Sequence, residues 1–333
     1  MKTNDKFSLV TGSRVNAISK RQFLGASAAA LCGLGLASAP LRAAPGETRL
    51  KIGMATFRFT ELTNAELAKE LAGAGIHFIQ LFLSQKDSRF WKYHEHPDVS
   101  SLTPARCKEI ATIYRDAGIT IDSIGVYPNL IHPDAIEQKA NLDYFEAMMN
   151  IGAHMDVHTF ISDAGYYDNP KSQEPKPKAP YHFQDDVWPR MIDRARELAA
   201  MAEKYEAKVL FEAWHKGFFA SAKRVRVFLE EVNSQHLGAL LDAANLIEVN
   251  DLEEMFSQLG PWIGCIHAKD RKLHNEGGVG AGKGDLDYPK FVKLAAQYTP
   301  TAPLILEYVG PTDYRAALDH LRGVLRQAGI SEW

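Results

Sequence analysis

The sequence predicts an α/β protein built as a single (β/α)8 barrel, and three observations carry that prediction. From Leu50 onward, short runs rich in Ile, Val, Leu and Phe alternate with longer stretches of helical periodicity. The runs are apolar almost without interruption, as strands are when both faces are covered, which points to a parallel sheet. Eight such units follow one another in a chain of 333 residues, which accommodates one barrel of roughly 250 residues.

In order, the candidate strands are LKIGMATF (50–57), HFIQLFL (77–83), TIDSIGVY (120–127), MDVHTFI (155–161), AKVLFEAW (207–214), GALLDAAN (238–245), IGCIHAKD (263–270) and PLILEYV (303–309). Helical stretches lie at 63–74, 104–117, 133–151, 186–206, 221–234, 251–259, 287–298 and 312–328. The first shows the pattern well: in NAELAKELAGAG, Leu67 and Leu71 stand four apart and glycines close the segment. Two connections are long. Residues 166–186, rich in Pro, Lys and Asp, read as a loop or lid after the fourth strand. Residues 271–288 carry five glycines and read as a mobile loop at the mouth. Those glycines do not form a Walker phosphate loop, because Lys283 is followed by Gly284. No second domain is expected.

The N-terminal residues differ in kind. A polar, basic start leads to SKRQFLG (19–25), the small apolar run ASAAALCGLGLASA (26–39) and LRAAPGE. This is the order of a secretory signal, and SKRQFLG resembles the twin-arginine export motif with Lys20-Arg21 in place of the arginine pair. The apolar run falls short of the roughly twenty residues a membrane span needs. The expected organisation is therefore a signal peptide at 1–44, cleaved after Ala39 or Ala44, and a barrel at 45–333 that is periplasmic or otherwise exported and has no membrane attachment after signal removal. Leu31 before Cys32 is too large for a lipoprotein signal, and Cys107 and Cys265 read as core residues. Six basic residues against Asp5 give residues 1–44 a charge of +5, so their removal takes the formal net charge from −3 to −8. Such an acidic chain is a poor partner for nucleic acid, whose phosphates call for a basic surface.

Four successive strands close on a metal-ligand side chain: KVLFE on Glu212, GALLD on Asp242, IGCIH on His267 and PLILE on Glu307. In a barrel these ends converge on one mouth, where active sites of this fold lie. Three carboxylates crowded together repel unless a cation lies between them. With a histidine added, the set suits one divalent ion, Mn, Co, Mg or Zn. For each residue alone, a salt bridge or a strand-end cap is the competing explanation; four at matching positions favour the metal.

This alternation, together with Glu212, Asp242, His267 and Glu307 and the segments LLDAANL, IHAKD and GVGAGKGDLDY, resembles the xylose isomerase-like TIM barrel superfamily, in its sugar isomerase and epimerase branch, over roughly residues 50 to 328. The resemblance implies a metal that chelates two neighbouring oxygens of a hydroxy-ketone, with Glu212 and Glu307 as base and acid on either side of the substrate carbon. Two departures from the ketose epimerases put the particular sugar in doubt: Asn245 stands where they often carry a histidine, and Lys269 and Asp270 follow His267 without the arginine that commonly holds substrate.

Among other polar residues, Lys269 shares strand parity with His267 and is a candidate electrophilic or substrate-holding group, or else a solvated strand-end lysine. His215, Asn245, Trp214 and His132 are candidate substrate contacts, although His215 also suits the surface and His132 also suits a helix cap. His158 reads as a core residue. Trp91, Tyr127, Phe160 and Trp214 are candidate sugar platforms, with core packing favoured for Phe160. The expected function is metal-dependent abstraction of a proton next to a carbonyl of a non-phosphorylated carbohydrate, by an isomerase or epimerase. A lyase cleaving 3-keto-glycosides by β-elimination would use the same site, and a non-catalytic periplasmic sugar-binding barrel would keep its ligands. The endonuclease IV-type nucleases share the fold but need a trinuclear zinc site with more histidines. Barrels of this kind often associate, so a homo-oligomer is compatible with the reading.

Overall fold

The apolar runs become strands whose two faces are buried in different places. The computed structural model describes residues 48–167, 182–275 and 277–333; the expected signal peptide and most of the 166–186 connection lie outside them. Among the described residues, eight parallel strands close into a barrel: β1 (Ile52–Ala55), β2 (Phe78–Leu81), β3 (Thr120–Gly125), β4 (Thr159–Ser162), β5 (Lys208–Glu212), β6 (Leu237–Asp242), β7 (Ile263–Arg271) and β8 (Leu304–Leu306). Closure is made by β8, whose Leu304 pairs with Ile52 of β1 on one side and Ile266 of β7 on the other.

Period-two alternation divides each strand. Outward residues such as Val209, Phe211, Leu241 and Ile266 join the large core beneath the helices. Inward residues, among them Ala55, Ile161, Leu210, Leu240, Cys265 and Ile305, fill the barrel. The cysteines Cys107 and Cys265 are buried and unpaired among the described residues, consistent with small core side chains.

Helices α1 (Asn64–Gly73), α2 (Pro104–Asp116), α3 (Ala135–Met155), α4 (Val187–Lys204), α5 (Ala222–Val232), α6 (Leu252–Leu259), α7 (Tyr288–Tyr298) and α8 (Tyr314–Gln327) alternate with the strands. Their starts are set locally: Thr63 and Glu66 form a reciprocal capping box, and Thr103 caps a helix that opens on Pro104. A single helical turn, Ala243–Leu246, follows β6 directly, with Asp242 as its cap. None of the described helices is long and apolar enough to cross a membrane.

Two sequence expectations are corrected. The fourth strand begins at Thr159 instead of 155, because α3 runs through Met155 and ends only at Asp156, which adopts a left-handed φ of 60°. The glycine-rich connection is not wholly a loop. β7 extends beyond the mouth to Arg271, and its free edge pairs antiparallel with Gly278–Gly280. The turn then tucks back under β7: Asp270 Oδ1 accepts from the backbone N–H of Leu286 at 3.0 Å, and a Cβ at Gly284 would collide with Asp270 and the Arg271 carbonyl.

Candidate metal centre and cavity

One strand rule builds the centre. Two residues beyond the inward Leu210, Leu240, Cys265 and Ile305 come Glu212, Asp242, His267 and Glu307. A period of two therefore aims all four into the mouth directly above the barrel's apolar filling. One ligand atom from each lies within 4.8 Å of the others. His267 Nδ1 stands 3.5 Å from Glu212 Oε1, 3.6 Å from Asp242 Oδ2 and 3.4 Å from Glu307 Oε2. Asp242 and His267 have no exposed surface, and Glu307 is 6% exposed.

The donor set fits a divalent cation. Among the described residues, His267 Nδ1, Asp242 Oδ2 and Glu307 Oε2 are buried without a hydrogen bond, although the Lys269 ammonium forms ion pairs with Asp242 Oδ2 at 2.6 Å and Glu307 Oε2 at 3.0 Å. Leaving a buried polar atom unsatisfied costs about 1–3 kcal/mol; Lys269 answers the two carboxylate oxygens, and His267 Nδ1, which faces Glu212, Asp242 and Glu307, stands where a shared cation would meet all four groups. Protonation tells the same story. Burial works against an imidazolium, yet the Glu307 and Glu212 carboxylates push His267 up to about 10. Burial likewise opposes ionisation of Asp242, yet Lys269 and His267 hold it down to about 2. Burial raises the Glu212 carboxyl, with Glu307 adding to the rise and His267 and Lys269 opposing it. The cluster draws in positive charge from whatever source is at hand.

A surrounding layer orients these groups. His267 Nε2 donates to Gln80 Oε1 of β2 at 2.7 Å across the barrel, leaving Nδ1 toward the carboxylates. Glu212 accepts from the Tyr127 hydroxyl at 2.9 Å and from the Asn245 amide at 2.9 Å. Arg271 donates to the carbonyls of Ala244 and Asn275 and reaches Asn245 Oδ1 at 3.4 Å. The Lys269 ammonium also sits 4.3 Å from the centre of the Tyr308 ring, whose residue follows Glu307 with a left-handed φ of 59°. A bulky residue holds such a backbone at a cost of about 1–3 kcal/mol.

Above the cluster opens a cavity of about 380 Å³. Its charged and polar lining includes Glu212, Glu307, Lys269, Asn245, Arg271 and Asp163, and its aromatic lining includes Phe57, Phe82, Trp91, Tyr93, Tyr127, Tyr166, Trp214 and Tyr308. Asp163, just beyond β4, accepts from the Tyr93 hydroxyl at 2.8 Å, His94 Nε2 at 3.0 Å and the Gly165 N–H at 2.9 Å. Burial opposes its ionisation, but His94 and these donors hold its carboxyl below the usual range.

Of the sequence candidates, Glu212, Glu307, Lys269, Asn245 and Trp214 line the cavity, as do Trp91 and Tyr127. His215 and His132 do not. The His215 ring bonds the Asn245 carbonyl at 2.9 Å, and His132 Nδ1 accepts from the Asp134 N–H at the start of α3. Phe160 packs in the outer core against Phe145. His158 is exposed beside Asp156 because its strand starts only at Thr159. Arg271, four residues past His267, also reaches the cavity wall. Gln80, Asp163 and Arg271 are absent from the sequence candidates, although each has a signal in the sequence. Gln80 interrupts an apolar run, and Asp163 and Arg271 continue the inward parity of β4 and β7.

No curated protein sequence matches the chain. Solved structures that share the fold include a 3-keto-D-glucoside 4-epimerase from E. coli, at 16% identity and a TM-score of 0.63 over 83% of this chain and 100% of that one. D-psicose 3-epimerase with D-tagatose, from Clostridium cellulolyticum H10, is 17% identical with a TM-score of 0.62 over 83% and 99%. The IolI protein with a bound zinc atom is 15% identical with a TM-score of 0.65 over 84% and 98%. The model of one family, the xylose isomerase-like TIM barrel, matches residues 68–324, a span that runs from α1 into α8 and contains all four residues of the cluster. The chain belongs to the xylose isomerase-like TIM barrel family.

Proposed function

We propose that the chain is a divalent-metal-dependent enzyme that removes a proton next to a carbonyl of a non-phosphorylated carbohydrate and returns it, as an isomerase or epimerase. The observation that carries the reading is the cluster of Glu212, Asp242, His267 and Glu307, four ligand atoms within 4.8 Å at the floor of an aromatic-walled cavity. A divalent cation held by these four residues would polarise the substrate carbonyl and acidify the neighbouring C–H.

Glu212 is the group we assign to proton removal. Tyr127 and Asn245 hold its two oxygens, and burial makes its carboxylate more basic. Glu307, from a different strand, is assigned to proton return. The Lys269 ammonium, within 3.0 Å of Glu307, would offset negative charge developing on a substrate oxygen. A neutral sugar is supported by the lining: Glu212, Glu307 and Asp163 offer acceptors for hydroxyls, and the cations Lys269 and Arg271 are engaged with partners of the protein instead of being gathered as a phosphate clamp. Structural neighbours named as acting on D-psicose and a 3-keto-D-glucoside lend support to the carbohydrate class.

The cavity volume favours one second reading, β-elimination of a 3-keto-glycoside. Loss of the group on the anomeric carbon after the same proton removal would cleave the bond, and about 380 Å³ leaves room for the departing unit. Proton NMR in D2O decides the matter. Mn²⁺-loaded protein is incubated with free ketoses and 3-keto-glycosides, and the metal is chelated before acquisition. Deuterium entering a carbon-bound position, and lost in His267→Ala, supports proton abstraction, and the product separates isomerisation from cleavage. No exchange on any sugar despite bound Mn²⁺ sinks the proposal in favour of a binding protein. Export, proposed from residues 1–44, is tested by fusing them to a reporter and replacing Lys20-Arg21 with glutamines; a reporter that the parent segment leaves inside the cell would reject export, and translocation unchanged by the glutamines would reject the twin-arginine route.

A further inference from the structure

We infer that the wall built by Tyr93, His94, Asp163 and Tyr166 is a second carbohydrate subsite, so that the substrate is a glycoside of two units and not a free monosaccharide. The inference rests on the carbohydrate reading of the cavity.

Asp163 follows Ser162, which pairs with Phe211, the neighbour of Glu212. It is therefore the next carboxylate around the ring of strand ends, and it borders with Glu212 a chamber of about 20 Å³, room for about one water molecule. Yet Asp163 does not join the cluster. Its oxygens take the Tyr93 hydroxyl, His94 Nε2 and the Gly165 N–H, so the carboxylate organises a wall.

That wall is a platform. Tyr93 stacks on His94 with ring centres 3.8 Å apart, and Tyr166 meets His94 edge-on at 4.6 Å. Tyr93 remains 49% exposed while lining the cavity. His94 holds a left-handed φ of 57°, with its N–H tied to the Tyr127 carbonyl at 2.8 Å. Strain of this kind in a non-glycine residue persists where the surroundings over-determine it and collects at ligand sites. The volume agrees: about 380 Å³ lies within the roughly 300–1,000 Å³ of pockets that bury a drug-sized ligand. The C–H face of a second ring would lie on Tyr93, and its hydroxyls would meet the tyrosine oxygens.

The test is calorimetric titration of the Mn²⁺-loaded protein with cellobiose, maltose, lactose and trehalose, each against its constituent monosaccharides. At least one disaccharide is expected to bind about tenfold or more tighter than its monosaccharides, and Tyr93→Ala or Tyr166→Ala to lower that ratio below about threefold. Tyr93→Phe keeps the ring and should retain most of the ratio; if Tyr93→Ala fails to fold, Tyr93→Leu, which keeps bulk without an aromatic face, should lower the ratio in its place, and an unchanged ratio there would overturn the inference. The inference is overturned if no disaccharide has an advantage, or if the advantage survives both alanine substitutions. Exchange in D2O, run in parallel, separates the two claims. Exchange without a disaccharide advantage removes only the subsite, whereas an advantage without exchange removes only the proton chemistry.

Discussion

The two halves of the barrel mouth are built from opposite materials. At the ends of β5 to β8 stand Glu212, Asp242, His267 and Glu307, with Lys269 among them; at and beyond the ends of β1 to β3 stand Phe57, Phe82 and Tyr127. The aromatic half is a packed cluster, in which Phe82 lies 5.3 Å from Phe57, 5.0 Å from Trp91 and 5.8 Å from Tyr127 between ring centres. The charged half leaves buried polar atoms without hydrogen bonds. One side is held by the packing of its own aromatic side chains; the other gathers opposite charges, with the Lys269 ammonium ion-paired to Asp242 and Glu307. β4 marks the seam, since Asp163 carries a charge but uses it to hold aromatic rings.

The contrast predicts that the halves fail differently. The largest effect on metal binding is expected from His267→Ala, which removes the single nitrogen of the cluster: Mn²⁺ affinity should fall by roughly a thousandfold or more. Mn²⁺ titration followed by electron paramagnetic resonance reads this, and retained affinity would show that the cation is held elsewhere. Phe82→Ala should do the reverse, costing about 3–5 kcal/mol of stability in urea denaturation while the folded fraction still takes up Mn²⁺. A loss of metal affinity as large as that of His267→Ala would erase the distinction between the halves.

Gln80→Leu probes the bridge between them, because Gln80 belongs to β2 yet orients His267. A weakening of Mn²⁺ binding by about 10–100-fold is expected, and an unchanged affinity would mean that the ring is oriented by packing alone. The smallest effect belongs to the seam. Asp163 has a folded-state carboxyl held below its unfolded value by His94 and its other donors, against burial. Its contribution is thus present above the unfolded pKa of about 4 and is lost as pH falls through the folded value. Asp163→Asn should cost about 1.5 kcal/mol near neutrality, and the gap to the parent should close on acidification. A gap that stays constant down to pH 3 would exclude an ionic role.

The charged half was legible in the sequence because each of its residues follows an apolar residue by two at the end of a run, as in LFE, LLD, CIH and ILE. The aromatic half was less so. Phe82 and Tyr127 look like any core residue, and nothing local distinguishes a ring that lines a cavity from Phe160, which packs outward. His215 and His132 do not line the cavity for a related reason: both lie just beyond regular structure, where the backbone turns and parity no longer predicts direction.

By itself, then, the sequence determined the eightfold alternation, the inward face of each strand and the four residues that meet at its end, since these depend only on period and order along the chain. Tertiary structure alone decided that Gln80 reaches His267 across 187 positions of sequence, that Arg271 turns into the wall, and that Asp163 holds aromatic rings instead of joining the cluster. Those outcomes depend on the distance between side chains brought together by barrel closure, and closure is a property of the whole ring of strands, which no local stretch of residues encodes.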